Sequence, residues 1–302
     1  MKYLYIIIVL SIILSCSNDK IQYEYDPDDY LSFISLKEAY GGFHGKVKSY
    51  IDSTYIVNNE FGEIRIDSLL FNTKLDYDKH GNPIFHRGVW YEYSKDQIKE
   101  VRSPLIGTVF SSIIITTYDG KYPKERNWYT EDVVAHKEIW EYDRKNRIAE
   151  YCQYNEDGEL GLRISVMYPD NRAVYKIYDY NEKGQCKDYD YYIEYDKYGR
   201  ISQIEKNEDD YSTITIDYYN KSNNKKSETC YLYRNYAIEN KTIIHYDKYG
   251  NKTDLIKYDK SGRIIKNLTY QNTYDRKRNL IMQLTYYSGS PMTLLKRVIE
   301  YY

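Results

Sequence analysis

The chain has 302 residues, of which 41 are Tyr against 6 Phe and 3 Trp. Its 43 basic and 45 acidic residues leave a net charge of −2 and are interleaved along the chain, so no basic run could neutralise a series of phosphates. That argues against nucleic-acid binding. A mean hydropathy of −0.77 would suit a disordered chain, but so many large rings predict a folded protein with a thin, aromatic core.

The N-terminus "MKYLYIIIVLSIILSC" has one early cation, Lys2, then an apolar run from Leu4 to Leu14. The run is too short for an ordinary spanning helix and has the layout of an export signal. "ILSC" at Ile13–Cys16 resembles the lipobox of bacterial lipoproteins. The resemblance implies cleavage before Cys16, acylation of that cysteine and a lipid anchor in the outer membrane. Residues 1–15 would then be the signal peptide. Their removal takes away Lys2 and leaves 42 basic and 45 acidic residues, a net of −3. The single acid in "SNDK" is weaker than the acidic runs of surface-export signals, so the side of the membrane stays open. Cys152, Cys186 and Cys230 remain. They form no C-x-x-C pair, leaving one disulfide or three thiols open.

Residues 16–25 read as a polar tether. "DPDDYLSFISLKEAYGG" then reads as a short amphipathic helix within 26–42. Asp26 is a suitable N-cap, Pro27 fits the first turn, and Gly41 and Gly42 stop the helix. Tyr30, Phe33, Ile34 and Tyr40 fall near one face, and the helix is expected to cap the first edge of a sheet.

From residue 43 to 302 the period becomes two. "GKVKSYIDSTYIV" and "EIRIDSLLFN" read as strands, after which a turn signal recurs. Tyr followed by Asp or Asn occurs at Tyr77, Tyr142, Tyr154, Tyr180, Tyr195, Tyr246, Tyr258 and Tyr274. Gly stands four residues after the Tyr at Gly81, Gly158, Gly184, Gly199, Gly250 and Gly262, whereas Asn146 and Arg278 take the place in the other two copies. The carboxylate of Asp78, Asp196, Asp247 or Asp259 accepts N–H bonds and starts a turn. The glycine closes it with φ > 0. Arg is a poor occupant of that conformation, so the turn ending at Arg278 is the weakest prediction. Each copy is one hairpin, and the whole predicts an antiparallel all-β meander forming a long twisted sheet, open rather than closed into a barrel.

"EYDKYGRI", "HYDKYGNK" and "KYDKSGRI" resemble the YD repeats of the bacterial Rhs and YD-repeat families. "GKVKSY", "EFGEI" and "LDYDKHGN" resemble the start of YD-repeat-like lipoproteins of the Bacteroidetes group. The resemblance runs from Gly45 to near the C-terminus. It implies architecture more than activity, since members include toxin shells, surface proteins and many without an assigned role. Unlike the large toxin shells, this chain is short and shows no C-terminal toxin domain.

Little in the sequence points to catalysis. His44, His80, His86, His136 and His245 show no metal-ligand spacing, and no P-loop, G-x-S-x-G or dinucleotide motif occurs. Acidic turns such as "YNEDGE" could hold Ca²⁺ but match no EF-hand. The expectation is a protein without enzyme activity, cofactor or metal. Its candidate ligand surface is the row Tyr189, Tyr191 and Tyr195, on one face of a strand with Tyr192 on the other. Such rings could stack on sugars. Ser53 in "DST" and Ser68 in "DSL" match a short O-glycosylation signal of Bacteroidetes exported proteins. The reading is an outer-membrane lipoprotein with a recognition module for glycan or protein. The alternative is a structural scaffold or an immunity-like partner of a toxin.

Overall fold

The computed structural model describes residues 43–302, except 87–88, 95–96, 105–110, 121, 131–132, 182–183, 208–210, 220–222 and 235–236. The predicted signal peptide, Cys16, the tether and the helix, all within residues 1–42, lie outside the described residues.

The described chain holds 20 strands. They are β1 (Val47–Glu60), β2 (Glu63–Tyr77), β3 (Pro83–His86), β4 (Val89–Ser94), β5 (Gln97–Pro104), β6 (Ser111–Asp119), β7 (Tyr122–Thr130), β8 (Val133–Tyr142), β9 (Ile148–Tyr154) and β10 (Leu160–Met167). There follow β11 (Arg172–Tyr180), β12 (Cys186–Tyr195), β13 (Ile201–Asn207), β14 (Tyr211–Tyr218), β15 (Lys225–Arg234), β16 (Ala237–Tyr246), β17 (Lys252–Asp259), β18 (Ile264–Tyr274), β19 (Leu280–Tyr287) and β20 (Ser290–Tyr301). Each pairs antiparallel with the next, which is the long meander that the repeats predict.

All eight predicted turns form, and they share one hydrogen-bond pattern. The turn that follows Tyr195 shows it. Asp196 N–H donates to Arg200 O, and Gly199 N–H donates to Asp196 O. Asp196 Oδ1 accepts from the N–H groups of Tyr198 at 2.8 Å and Arg200 at 3.0 Å. Gly199 has φ 76° and open space where a Cβ would stand. Arg278 adopts φ 72°, and its turn keeps the bonds Asp275 N–H to Asn279 O and Arg278 N–H to Asp275 O. The sequence-based concern over that last turn is thus corrected: the Asp275 side chain and backbone hold it despite the arginine.

The buried face runs unbroken from β8 to β13. Trp140 stands opposite Tyr151, Tyr151 opposite Ile164, and Ile164 opposite Ile177. Ala173, Ile193 and Ile204 form a parallel row. Tyr151, Ile164, Ala173 and Ile193 are at most 1% exposed. Alternation puts these apolar residues on one face while Arg163, Lys176 and Glu194 take the other.

The two ends of the meander meet. β20 lies antiparallel against β1, from Val47 opposite Tyr301 to Ile56 opposite Thr293. An open sheet would leave the outer side of both strands unpaired. Here each covers the other, and this corrects the expected open edge. A second core packs at the junction, from Val47, Tyr50, Leu75 and Tyr77, with Phe43, Ile299 and Tyr301 against it. Arg297 binds Asp52 across the seam through two bonds of 2.6 and 2.7 Å. Pairing the ends satisfies two rows of backbone groups that would otherwise invite another chain. Past this seam the β1–β2 hairpin projects. Glu63–Leu69 are all exposed, and Phe61 at its tip is fully exposed with φ 56°.

Candidate functional site: a tyrosine cleft beside the 246–251 turn

The row proposed from sequence belongs to the core. Tyr191 is 2% exposed, and Tyr189 and Tyr195 pack against the same cluster. Tyr191 stands opposite Tyr175, with the Lys206 ammonium 5.7 Å from its ring. A ring enclosed in this way offers no face to a sugar, so the platform assigned to Tyr191 is corrected. Tyr192 points the other way, and its hydroxyl donates to Asp190.

Other tyrosines fasten one hairpin to the next, along the rim that carries the turns after β2, β8, β12, β16 and β18. The residue after the turn glycine, or its substitute, selects one of two modes. Where it is Arg, the guanidinium pairs with the turn aspartate and lies over the next tyrosine of the rim. Arg147 binds Asp143 and sits 3.9 Å from the Tyr168 ring, while Tyr168 OH donates to Ile148 O at 3.0 Å. Arg200 repeats this with Asp196 and the Tyr218 ring at 4.2 Å, and Tyr218 OH donates to Ile201 O at 2.8 Å. At the turns that end in Asn251 and Asn279, the next tyrosine bonds the turn aspartate itself, whereas at the first turn the Asn82 amide donates to Asp78 Oδ2. Tyr274 OH donates to Asp247 Oδ2 and accepts from Asn251. Tyr301 OH donates to Asp275 Oδ2 and accepts from Asn279. Tyr302 OH, donating to Tyr77 O at 2.6 Å, carries the rail across the seam.

Where this rail changes, a cleft opens. The loop between β14 and β15 carries neither the turn aspartate nor its glycine. Tyr246, the next rim tyrosine, sends its hydroxyl to Glu228 Oε2 at 2.7 Å. Tyr219 OH donates to Tyr246 O at 2.7 Å, and Asn224 Nδ2 to Lys248 O at 2.7 Å. The open cleft measures about 640 Å³ and is lined by Tyr219, Lys226, His245, Tyr246, Asp247, Lys248, Tyr249, Thr253 and Tyr274. Tyr249 and Tyr274 pack with ring centroids 4.8 Å apart. Lys226, His245 and Lys248 are exposed, and the four tyrosines are half-buried.

The electrostatics follow from these partners. Burial, and then the Glu228 carboxylate, push the Tyr246 phenol far above its ordinary range. Burial and then the Asp247 carboxylate do the same to Tyr274. Both stay neutral and act as donors within the protein. Asp247 accepts bonds at both oxygens: Oδ1 from the N–H groups of Tyr249 and Asn251, and Oδ2 from Tyr274 and Asn272. What the lining presents to solvent is therefore ring surface and cationic side chains.

A buried polar cluster lies elsewhere, on β7 and β8. Arg126 meets Glu138 at 3.2 Å, with His136 3.5 Å from the same carboxylate. Burial raises the Glu138 carboxyl, but the His136 hydrogen bond and the Arg126 charge outweigh it and hold the group below its usual range. This pair is enclosed by the core. Among the described residues no His, Cys, Asp and Glu side chains group as a metal site. Cys152, Cys186 and Cys230 are free thiols, buried, exposed and half-buried respectively. Ser53 sits within β1 between Asn72 and Lys296, whereas Ser68 is exposed on the projecting hairpin.

No family model matches this sequence. No curated protein matches it either. Among solved structures, a porin-like protein from Bacteroides uniformis is 11% identical, covers 84% of this chain and 98% of its own, and superposes with a TM-score of 0.34. A porin-like protein from Bacteroides vulgatus is 8% identical, with coverages of 82% and 98% and a TM-score of 0.35. The TcdB2–TccC3–Cdc42 complex is 10% identical over 83% of this chain and 17% of that chain, with a TM-score of 0.28. Likeness at this level carries no functional argument.

Proposed function

We propose that this chain is a lipid-anchored protein of the bacterial envelope, held in the outer membrane through Cys16, and that its β-repeat ladder is a non-catalytic recognition module for glycans. The observation that carries the reading is the cleft: four tyrosines and three basic side chains around about 640 Å³ of open space. Pyranose rings stack their C–H faces on aromatic rings, and nearby polar groups bind hydroxyls. The rail supports the reading in a second way. The 246–251 turn, locked by Tyr274 and Asn251, holds one wall of the cleft in place before any ligand arrives, which limits the entropy lost on binding.

A glycan-binding screen of the full-length protein in detergent tests this. Binding to one sugar class, lost in Tyr249→Ala with the folded far-UV spectrum kept, is the expected result. A folded protein that binds no glycan would overturn the reading and leave a structural role, for which the rail of locked turns is the supporting feature.

A further inference from the structure

The free charge left in the cleft is positive. Its lining holds one carboxylate, Asp247, and both oxygens of that group are taken up by the turn and by Tyr274 and Asn272. Lys226 and Lys248 are exposed in the lining, and neither makes an ion pair among the described residues. Lys248 holds its ammonium 5.1 Å from the centroid of the Tyr249 ring, and neighbouring cations on the same strands and rim are held more tightly. Lys225 pairs with Glu228, Arg200 with Asp196, and Lys277 stands 3.4 Å over the Tyr301 ring. The hydroxyls of Tyr219, Tyr246 and Tyr274 are bonded inside the protein. A ligand therefore meets flat ring surface flanked by ammonium groups.

We infer that the cleft takes an acidic saccharide, a pyranose chain carrying carboxylates, with Tyr249 as stacking surface and Lys226 and Lys248 as carboxylate partners. This inference rests on the glycan reading above. A pyranose supplies the flat C–H face that the rings require, and its carboxylate supplies the charge the lysines lack. An acidic peptide supplies the charge without the face.

The test measures binding of the full-length protein in detergent to short uronate oligomers of galacturonate, glucuronate and mannuronate, and to the same oligomers after carboxyl reduction. Two partly exposed ion pairs predict that reduction weakens binding about tenfold, and that Lys226→Gln and Lys248→Gln each weaken it about two- to fivefold. Raising the salt from about 50 to about 500 mM should weaken the uronate and spare the reduced oligomer. Equal or tighter binding of reduced oligomers, or of other neutral glycans, overturns the acidic assignment and leaves the glycan reading standing. Full competition by polyglutamate overturns the saccharide. Absence of all binding by a folded protein overturns both.

Discussion

Arg297 is predicted to hold the seam of the ladder, and Arg297→Ala to open it. The guanidinium donates two bonds to Asp52, at 2.6 and 2.7 Å, from a position directly opposite it in the β1–β20 register. It also lies 4.8 Å from the Tyr50 ring and 5.1 Å from Phe43. Burial lowers its pKa, but the Asp52 carboxylate more than reverses that, so the charged pair is the stable form. Removing one partner of a buried pair costs about 3–5 kcal/mol, because the other charge stays behind unpaired. The side chains here retain 19% and 15% exposure, and water reaching Asp52 lowers the expected loss to about 2–4 kcal/mol. Asp52→Asn should cost less, since an amide still accepts one of the bonds. The assay is urea unfolding followed by circular dichroism for wild type, each single variant and the double variant. The expected outcome is a lower midpoint at similar slope, with a coupling energy of about 1–2 kcal/mol in the cycle. A loss below about 0.5 kcal/mol for Arg297→Ala, or additive single effects, would show that backbone pairing alone closes the ladder.

Gly199→Ala should cost about 1–2 kcal/mol although nothing stands near the added methyl, because the residue is held at φ 76°. The reverse change, Arg278→Gly, should raise the melting temperature by relieving φ 72° at the last turn; a fall would mean that the arginine makes a contact outweighing the strain. Burial pushes the Tyr91 phenol up to about 12, and Tyr142, Tyr151, Tyr246 and Tyr274 are also raised, in each case by burial first. A raised folded pKa contributes stability that is complete below the unfolded value near 10 and is lost as the pH climbs through the folded value. Absorbance near 295 nm should therefore show a set of phenols ionising together with unfolding, above about pH 10; independent titration of every tyrosine before unfolding would contradict the buried rail. The turn carboxylates shift the other way. Asp143 is lowered by the Arg147 backbone N–H first, and Asp259 by the Ser261 hydroxyl first. Their stability is present above about pH 4 and is lost as the pH falls through the folded values. Asp143→Asn and Asp259→Asn, which keep the turn bonds, should flatten the melting temperature between about pH 5 and pH 2.5.

The turns were legible because their chemistry is local. Asp or Asn, two polar residues and a residue tolerant of positive φ fix five backbone positions without reference to the rest of the chain. The side of the strand that each tyrosine faces was not legible. In "DYDYYIEY" the rings at Tyr189, Tyr191 and Tyr195 alternate with polar residues, but Tyr192 sits on the opposite face, so the pattern fits either face being dry. Burial was decided by what lies across the ladder, Tyr175 and Ile177 on β11 and Ile204 on β13. The seam was equally hidden, because the Asp52–Arg297 pair joins the second tenth of the chain to its end.

The distinction between Arg and Asn after the turn glycine was visible as letters, "YGR" against "YGN", and its meaning is a matter of reach. Arginine is long enough to pair with its own turn aspartate and still cover the next tyrosine, so that hydroxyl goes to a backbone carbonyl. Asn251 and Asn279 leave one oxygen of the aspartate uncovered, and the hydroxyl takes it. Both solutions bury a polar ring edge with every group satisfied, and both make each hairpin a binding surface for the next. A run of such units is self-consistent. Recognition of anything else needs an interruption. One interruption is the loop between β14 and β15, which lacks the turn aspartate and its glycine; beside it Tyr246 bonds Glu228, and the cleft lies next to Tyr249. Function in this fold is therefore to be sought at the unit that departs from the repeat, not at the units that keep it. Restoring a regular turn there should fill the cleft and abolish binding while raising stability.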